Sequence, residues 1–186
     1  MATQHEENVV LVDELGRPVG QEDKRTVHRR STPRHLGFSC YGFDGAGRLL
    51  VTQRAVDKLT FPGVWTNTCC GHPAPGESVE QAVRRRLRYE LELVPENLTL
   101  VLPEFSYRAS FRDIEENELC PVFVCRLTGD PSPRRAEVQA WQWWTWDHFL
   151  QEVADADSNL SPWARLQAPL LDALRPLPEV LGKFRS

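Results

Sequence analysis

Three histidines and two glutamates have the types and spacing to hold one cation. His28 and His35 lie seven apart with Pro33 between them, so they are not simply two turns of one helix. His72 follows the Cys70-Gly71 step, and Glu116 and Glu118 are two apart, which in a strand projects both carboxylates from the same face. Carboxylates that close repel unless a cation or a proton lies between them. Three imidazoles and two carboxylates make a nitrogen and oxygen set with one octahedral position open, suited to magnesium, manganese or zinc without choosing among them. On spacing alone a second reading stands beside it: ordinary surface or core histidines, and a solvated strand face at Glu116-Asn117-Glu118. No compact pair of the HExxH kind decides between the two. His5 and His148 have no partner pattern and take no role.

A second pattern begins at Gly71. After five intervening residues stands Glu77, after seven more Arg85, and an acid follows at Glu90, the order of a template that handles diphosphates and metals. Two positions where that template wants acids hold Arg86 and Tyr89, and a cysteine and a histidine stand at its entrance. This is the pattern of a diphosphate scaffold turned to chemistry other than hydrolysis. Cys70 offers a thiol of ordinary pKa about 8.5, able to give and take a proton; it is equally readable as a small buried residue. The other cysteines, 40, 69, 120 and 125, form no CxxC pair, and Cys40, Cys120 and Cys125 lie in apolar runs as core residues.

The elements that must carry these groups are legible in the periodicity. Val9 to Val12 predicts a strand, turning at 15–20 into a return strand. Leu36 to Phe43 and Arg48 to Arg54 predict a hairpin about Asp44-Gly45-Ala46-Gly47, followed by a loop over 55–63. Val79, Ala82, Val83, Leu87 and Leu91 recur near the helical period, predicting a helix over 77–91 with Arg84, Arg85 and Arg88 on a solvated face. Residues 98–109 and 116–127 read as two long strands, 129–135 as a surface connection, and 138–146 as a further strand with Asp147 capping a helix. Trp141, Trp143, Trp144 and Trp146 read as packing on the two faces of that strand. A last helix is expected over 161–174, opened by Pro162. The sum is an α/β chain with a mixed sheet covered on both faces, one domain over 1–175 and a loose tail over 176–186.

At 186 residues and 41% hydrophobic the chain suffices for one core. A net charge of −4 argues against nucleic acid or an anionic membrane as partner. No apolar run nears the ~20 residues that span a bilayer. The N-terminal stretch has no signal-peptide pattern and the C-terminal one no peroxisomal or prenylation signal, so a cytoplasmic location with reduced thiols is expected.

The chain resembles the type 1 isopentenyl-diphosphate delta-isomerases, a branch of the Nudix superfamily. The likeness is carried by Lys24-Arg25-Thr26-Val27-His28 and Arg34-His35-Leu36-Gly37-Phe38-Ser39, then by Phe61-Pro62-Gly63-Val64-Trp65-Thr66-Asn67 running to Cys70-Gly71-His72-Pro73. Gly76-Glu77-Ser78 to Tyr89-Glu90-Leu91, Tyr107-Arg108-Ala109, Glu116-Asn117-Glu118-Leu119-Cys120-Pro121-Val122-Phe123 and Ser161-Pro162-Trp163 complete it. The resemblance implies a Nudix-like α/β/α sandwich that interconverts isopentenyl and dimethylallyl diphosphate, acting as a monomer or weak homodimer. It implies that His28, His35, His72, Glu116 and Glu118 ligate one divalent metal. A magnesium ion would sit with the diphosphate on Glu90 and the Cys70 carbonyl. Cys70 and Glu118 would be the catalytic pair, with Tyr107 as hydrogen-bond partner of the carboxylate and Trp163 as stabiliser of positive charge. Lys24, Arg54, Lys58 and Arg86 stand at phosphate-contacting positions; a guanidinium at 86 binds phosphate oxygens where a hydrolase would bind metal.

One departure concerns Glu92, where the family favours glycine after the helix. A glutamate there must avoid a left-handed backbone or bear a strain of about 1 kcal/mol or more. Two other function classes fit parts of the pattern: a Nudix-type hydrolase of nucleotide diphosphates, and a non-catalytic module that binds metal or diphosphate. The degenerate acids and the Cys-Gly-His entrance argue against the first. The second requires that Cys70→Ala and Glu118→Gln leave ligand affinity nearly intact.

Overall fold

The computed structural model describes residues 7–174; His5 and the expected tail from residue 176 lie outside the described residues. The chain opens with the expected hairpin, β1 (Asn8–Val12) and β2 (Pro18–Asp23). One helical turn, α1 (Lys24–Val27), follows, capped by the Asp23 carboxylate accepting from the Arg25 N–H. Next come β3 (His35–Leu36), β4 (Phe38–Phe43), β5 (Leu49–Arg54), β6 (Trp65–Thr66) and β7 (Cys69–Gly71). Helix α2 (Val79–Leu91) leads to β8 (Glu96–Leu102), β9 (Ser106–Phe111), β10 (Ile114–Leu119), β11 (Val122–Arg126) and β12 (Val138–Trp144), and α3 (Trp146–Ala154) and α4 (Pro162–Asp172) close the described chain.

These strands make two sheets. The smaller runs β2-β1-β3-β10-β9, and the larger β12-β5-β4-β11-β8, with β6 on β5 and β7 on β4. The larger is mixed, β4 and β11 being parallel. Side-chain alternation along β4 explains the layers. Phe38 and Cys40 pack with Ala82, Val83, Leu87 and Leu91 of α2, whereas Tyr41 and Phe43 join Phe149 of α3 and Trp163, Ala168 and Leu171 of α4. Leu50 against Leu49 and Val51 repeats the division on β5. The expected sheet covered on both faces, a helix-sheet-helix sandwich, is therefore present.

Three differences from expectation matter for the site. The two long strands are four: Pro103 separates β8 from β9, and Pro121 separates β10 from β11. Proline has no N–H to continue a ladder, and the break sends β10 to the small sheet and β11 to the large one. The hairpin of β4 and β5 keeps only the Phe43–Leu49 pair, because residues 65–71 wedge between the strands. Thr68 holds the wedge: its hydroxyl accepts from Gly42 N at 2.7 Å and donates to Leu50 O at 2.7 Å. Third, Thr145 and not Asp147 caps α3, accepting from His148 N at 3.2 Å, so Trp146 sits on the helix and not on the strand. Helix α2 starts at Ser78, whose hydroxyl and the Gln81 amide form a reciprocal capping box. It ends on Glu92 in the left-handed region, φ 58 and ψ 26, the strained conformation in full.

Candidate active site

A cavity of about 500 Å³ is lined from both sheets, from α1, α2 and α4, and from the 55–63 loop. Of the sequence-predicted residues, Lys24, His28, Arg54, Lys58, Cys70, His72, Arg86, Glu90, Tyr107, Glu116, Glu118 and Trp163 all line it. His35 stands one layer behind, wholly buried, with its ring toward Glu118.

The three imidazoles form a triangle with centroids 5.1, 5.1 and 5.7 Å apart. The short strand β3 supplies His35, the end of α1 supplies His28, and the residue after β7 supplies His72. Glu116 and Glu118 project together from β10 as the two-residue spacing requires; Glu118 lies opposite His35 on one side and Tyr107 on the other. His28 Nδ1 faces the Lys24 carbonyl at 3.3 Å and His35 Nδ1 the Pro33 carbonyl at 3.0 Å. A carbonyl only accepts, so these nitrogens carry the proton and each Nε2 offers a lone pair inward. His28 Nε2 is 3.2 Å from Glu116 Oε2, without hydrogen-bond alignment, and His35 Nε2 is 3.6 Å from Glu118 Oε1. Both nitrogens, Glu116 Oε2 and His72 Nδ1 are buried with no hydrogen-bond partner. Donor atoms of His28, His35, His72 and Glu116 lie within 4.8 Å of one another. Lone pairs aimed at carboxylate oxygens are stable only around a cation or a shared proton, and this set fits a divalent cation.

The same crowding sets the ionisation. Burial pushes Glu118 up, but the His35 and His72 imidazoles beside it outweigh this and hold the carboxyl well below its usual range. Glu116 is lowered likewise, burial being outweighed by His28. Burial brings His72 down to about 4, although its Nε2 is 3.0 Å from Glu118 Oε1. His35 goes the other way: burial opposes its charge, yet the Glu118 carboxylate carries it up.

On the large-sheet side the 65–71 wedge presents Cys70. Burial pushes its thiol up to about 11, against the hydrogen bonds of Ser39 and Asn67. Its S–H donates to Asn67 Oδ1 at 3.2 Å, and Ser39 Oγ lies at 3.5 Å. Asn67 Oδ1 also accepts from Trp163 Nε1 at 3.0 Å and from the Thr66 hydroxyl at 2.8 Å, while its Nδ2 donates to the Cys40 and Cys69 carbonyls, each at 3.0 Å. One buried amide therefore orients the thiol and the indole together. The Trp163 ring meets Phe61 edge-on at 5.4 Å, Tyr107 at 6.0 Å and the Arg54 guanidinium at 5.6 Å. Cys70 and Glu118 open on the same cavity, and the carboxylate's charge contributes to raising the thiol.

The cations line the same cavity. Arg86 and Glu90, one helical turn apart and both buried, pair through Nε at 2.8 Å and Nη2 at 2.6 Å. Arg86 Nη2 also reaches Glu137 Oε2 at 3.0 Å, and Lys58 bonds the same oxygen. Lys24 pairs with Glu7 at 2.7 Å, and Arg54 donates to the Phe61 and Thr60 carbonyls. Arg85 is more than part of a solvated face: it clamps Glu77 at 2.7 Å and donates to the His72 carbonyl at 3.2 Å, tying α2 to the histidine loop. Arg84 is the surface residue expected, paired with Glu80. Cys40, Cys69, Cys120 and Cys125 are buried small residues.

Asn67, Glu137 and Glu7 had no role in the sequence reading. Asn67 sits within the block already noted at 61–73, and a lone amide among turn residues was the available signal. Glu137 and Glu7 have no spacing partner to mark them.

The match with known proteins agrees with this geometry. The model of the NUDIX domain matches residues 33–164. An isopentenyl-diphosphate Delta-isomerase of Mycolicibacterium vanbaalenii is 54% identical over 168 residues, 90% of this chain and 92% of that one. Another, of Saccharopolyspora erythraea, is 52% identical over 162 residues, 87% and 84% of the two chains. Among solved structures, a Deinococcus radiodurans protein (DR0079) superposes with a TM-score of 0.69 at 22% identity, covering 88% of this chain and 98% of its own. A MutT protein of Methanosarcina mazei gives 0.62 at 17% identity, covering 77% and 96%. The last two share the fold. With a NUDIX domain over most of its length and about half its residues identical to theirs, the chain belongs to the isopentenyl-diphosphate Delta-isomerases.

Proposed function

We propose that the protein interconverts isopentenyl and dimethylallyl diphosphate, with Cys70 and Glu118 as the two proton-transfer groups. The observation that carries the reading is that the Cys70 thiol and the Glu118 carboxyl open on one cavity, with Lys24, Arg54, Lys58 and Arg86 at its wall. Isomerisation adds a proton at the terminal methylene carbon and removes one from the neighbouring CH₂. One group must give a proton while the other takes one, and reversibility requires each to do both. Protonating an unactivated alkene leaves cation-like character at the tertiary carbon. The faces of Trp163 and Tyr107 give that charge an aromatic wall and keep loose water away from it. Asn67 holds both the indole and the thiol in place, so donor and stabiliser keep one geometry through the reaction.

His28, His35, His72, Glu116 and Glu118 would hold a divalent metal, with zinc, manganese and magnesium all suited; when bound it would neutralise the paired carboxylates and tune the acidity of Glu118. Magnesium held by Glu90 and the Cys70 carbonyl would screen the diphosphate, which Lys24, Arg54, Lys58 and Arg86 grip directly. The protein is taken to act as a monomer or weak homodimer. Five unpaired thiols, with no described helix long and apolar enough to cross a membrane, favour the cytoplasm. Incubation with isopentenyl diphosphate and magnesium in deuterated water tests the reading. Deuterium in an allylic product with no phosphate released is the expected result; release of phosphate or pyrophosphate would replace it with a hydrolase.

A further inference from the structure

We propose that Glu137 is a positioning residue for the substrate diphosphate, holding Lys58 and Arg86 at the spacing of neighbouring phosphate oxygens. This rests on the isomerase reading and adds to it a carboxylate from outside the Nudix-like helix. The geometry is unusual in one respect. A single oxygen, Glu137 Oε2, accepts from the Lys58 ammonium and, at 3.0 Å, from Arg86 Nη2. Two cations that share one oxygen stand as they would on one anion, so the site is arranged before a diphosphate arrives.

The backbone of Glu137 is anchored on both sides. Its N–H donates to the Arg134 carbonyl at 2.8 Å, and its own carbonyl accepts from Ala55 N at 3.0 Å. Ala55 in turn accepts from Lys58 N at 3.2 Å, so the loop that carries Lys58 hangs from the residue that binds its side chain. The next residue, Val138, pairs with Arg54 at the start of β12, which ties a third cation to the same point. Among the described residues Glu137 is the side chain that Lys58 bonds, and Lys58 is long enough to wander without it. Arg86 keeps Glu90 on its Nε edge, but its Nη2 loses one of two anchors. Only 15% of the Glu137 side chain is exposed, against 7% for Arg86 and 25% for Lys58. Burial opposes its charge, and the two cations outweigh that and keep it ionised.

A residue that arranges binding groups acts equally on bound substrate and transition state, so its loss raises KM and spares kcat. Glu137→Ala is expected to raise KM for isopentenyl diphosphate about tenfold, with kcat within about threefold. The dissociation constant for magnesium pyrophosphate, measured by calorimetry, should rise in parallel, and Glu137→Asp should restore part of both. Three results would overturn the assignment. The first is unchanged or tighter pyrophosphate binding in Glu137→Ala, which would make the carboxylate a competitor or a bystander. The second is a fall in kcat at constant KM. The third is no recovery in Glu137→Asp. If a melting curve shows Glu137→Ala unfolded, Glu137→Gln decides by the same criteria. A wild-type protein that binds pyrophosphate without isomerising isopentenyl diphosphate would sink the isomerase reading instead, so the two failures are distinct.

Discussion

Gly37 provides a sharp test of where the Glu118 carboxylate must lie. The residue joins β3 to β4, and its N–H donates to the Leu119 carbonyl at 2.8 Å. A Cβ at this position would stand 2.2 Å from Glu118 Oε2, 2.7 Å from its Cδ and 3.2 Å from Oε1. Carbon and oxygen need about 3.2 Å or more, so Gly37→Ala drives the carboxylate back by about 1 Å. Gly37 is absent from the positive-φ glycines, so alanine is acceptable to the backbone and the cost falls on the carboxylate. Oε1 would then leave its contacts with His72 at 3.0 Å and His35 at 3.6 Å. Forcing one methyl into a packed site costs roughly 1–3 kcal/mol of stability, whereas a shift of about 1 Å in a reacting group costs on the order of 100-fold in rate. The variant should therefore fold, melt a few degrees lower, keep KM for isopentenyl diphosphate within about threefold and lose about 100-fold in kcat. Its metal content after dialysis should fall with the activity. Gly45→Ala is the control, since its Cβ would find nothing nearer than 3.7 Å. Gly37→Ala with kcat within threefold of wild type would show that Glu118 does not act from the position described.

Three further outcomes follow from the same geometry. Because burial raises the Cys70 thiol to about 11, its alkylation by iodoacetamide, read by peptide mass, should stay slow at pH 8–9 and climb toward pH 11. The sign is that of a raised pKa: stability from burying the neutral thiol is whole below about pH 9 and lost as pH rises through 11, and half-maximal labelling near pH 8.5 would contradict it. Asn67→Ala leaves the buried Trp163 N–H without its acceptor and takes a donor from each of the Cys40 and Cys69 carbonyls, so urea denaturation should show a loss of about 3 kcal/mol or more. A loss under about 1 kcal/mol would mean the amide does not hold that network. Glu92→Gly relieves the left-handed residue at φ 58 and should stabilise by about 1 kcal/mol, seen as a rise in melting temperature; a fall would mean that the side chain contributes more than the strain costs.

The chemistry of the site was more legible than the path of the chain that builds it. The histidine and glutamate set follows from residue type and from the two-residue step of a strand, both local properties. The break of each long strand was also written locally, at Pro103 and Pro121, but apolar runs on either side masked it. That break is what lets β10 carry Glu116 and Glu118 on one sheet while Cys70 stands on the other. The wedge at 65–71 was not legible, because a strand pair interrupted by a distant segment leaves no periodic trace. Glu137 was beyond reach for the same reason: Lys58 is 79 residues away, and only the pairing of β5 with β12 brings them together.

That meeting of distant charges sets this chain apart from the hydrolytic template. In the hydrolytic template an acid stands at position 86. Here that acid would join Glu90 and Glu137 around one point, and three carboxylates would gather cations able to acidify a water beside the phosphorus. With Arg86 in place, Glu90 and Glu137 already share a guanidinium, 2.6 and 3.0 Å away. With Lys58 on the same Glu137 oxygen, two cations balance two carboxylates, where an acid at 86 would leave two negative charges to draw further cations. At the other end of the cavity the walls are Trp163 and Tyr107, which offer a water little to bond. A reaction through a cation-like carbon tolerates no activated water, and the reversal of charge at 86 takes away an acid that would help to activate one.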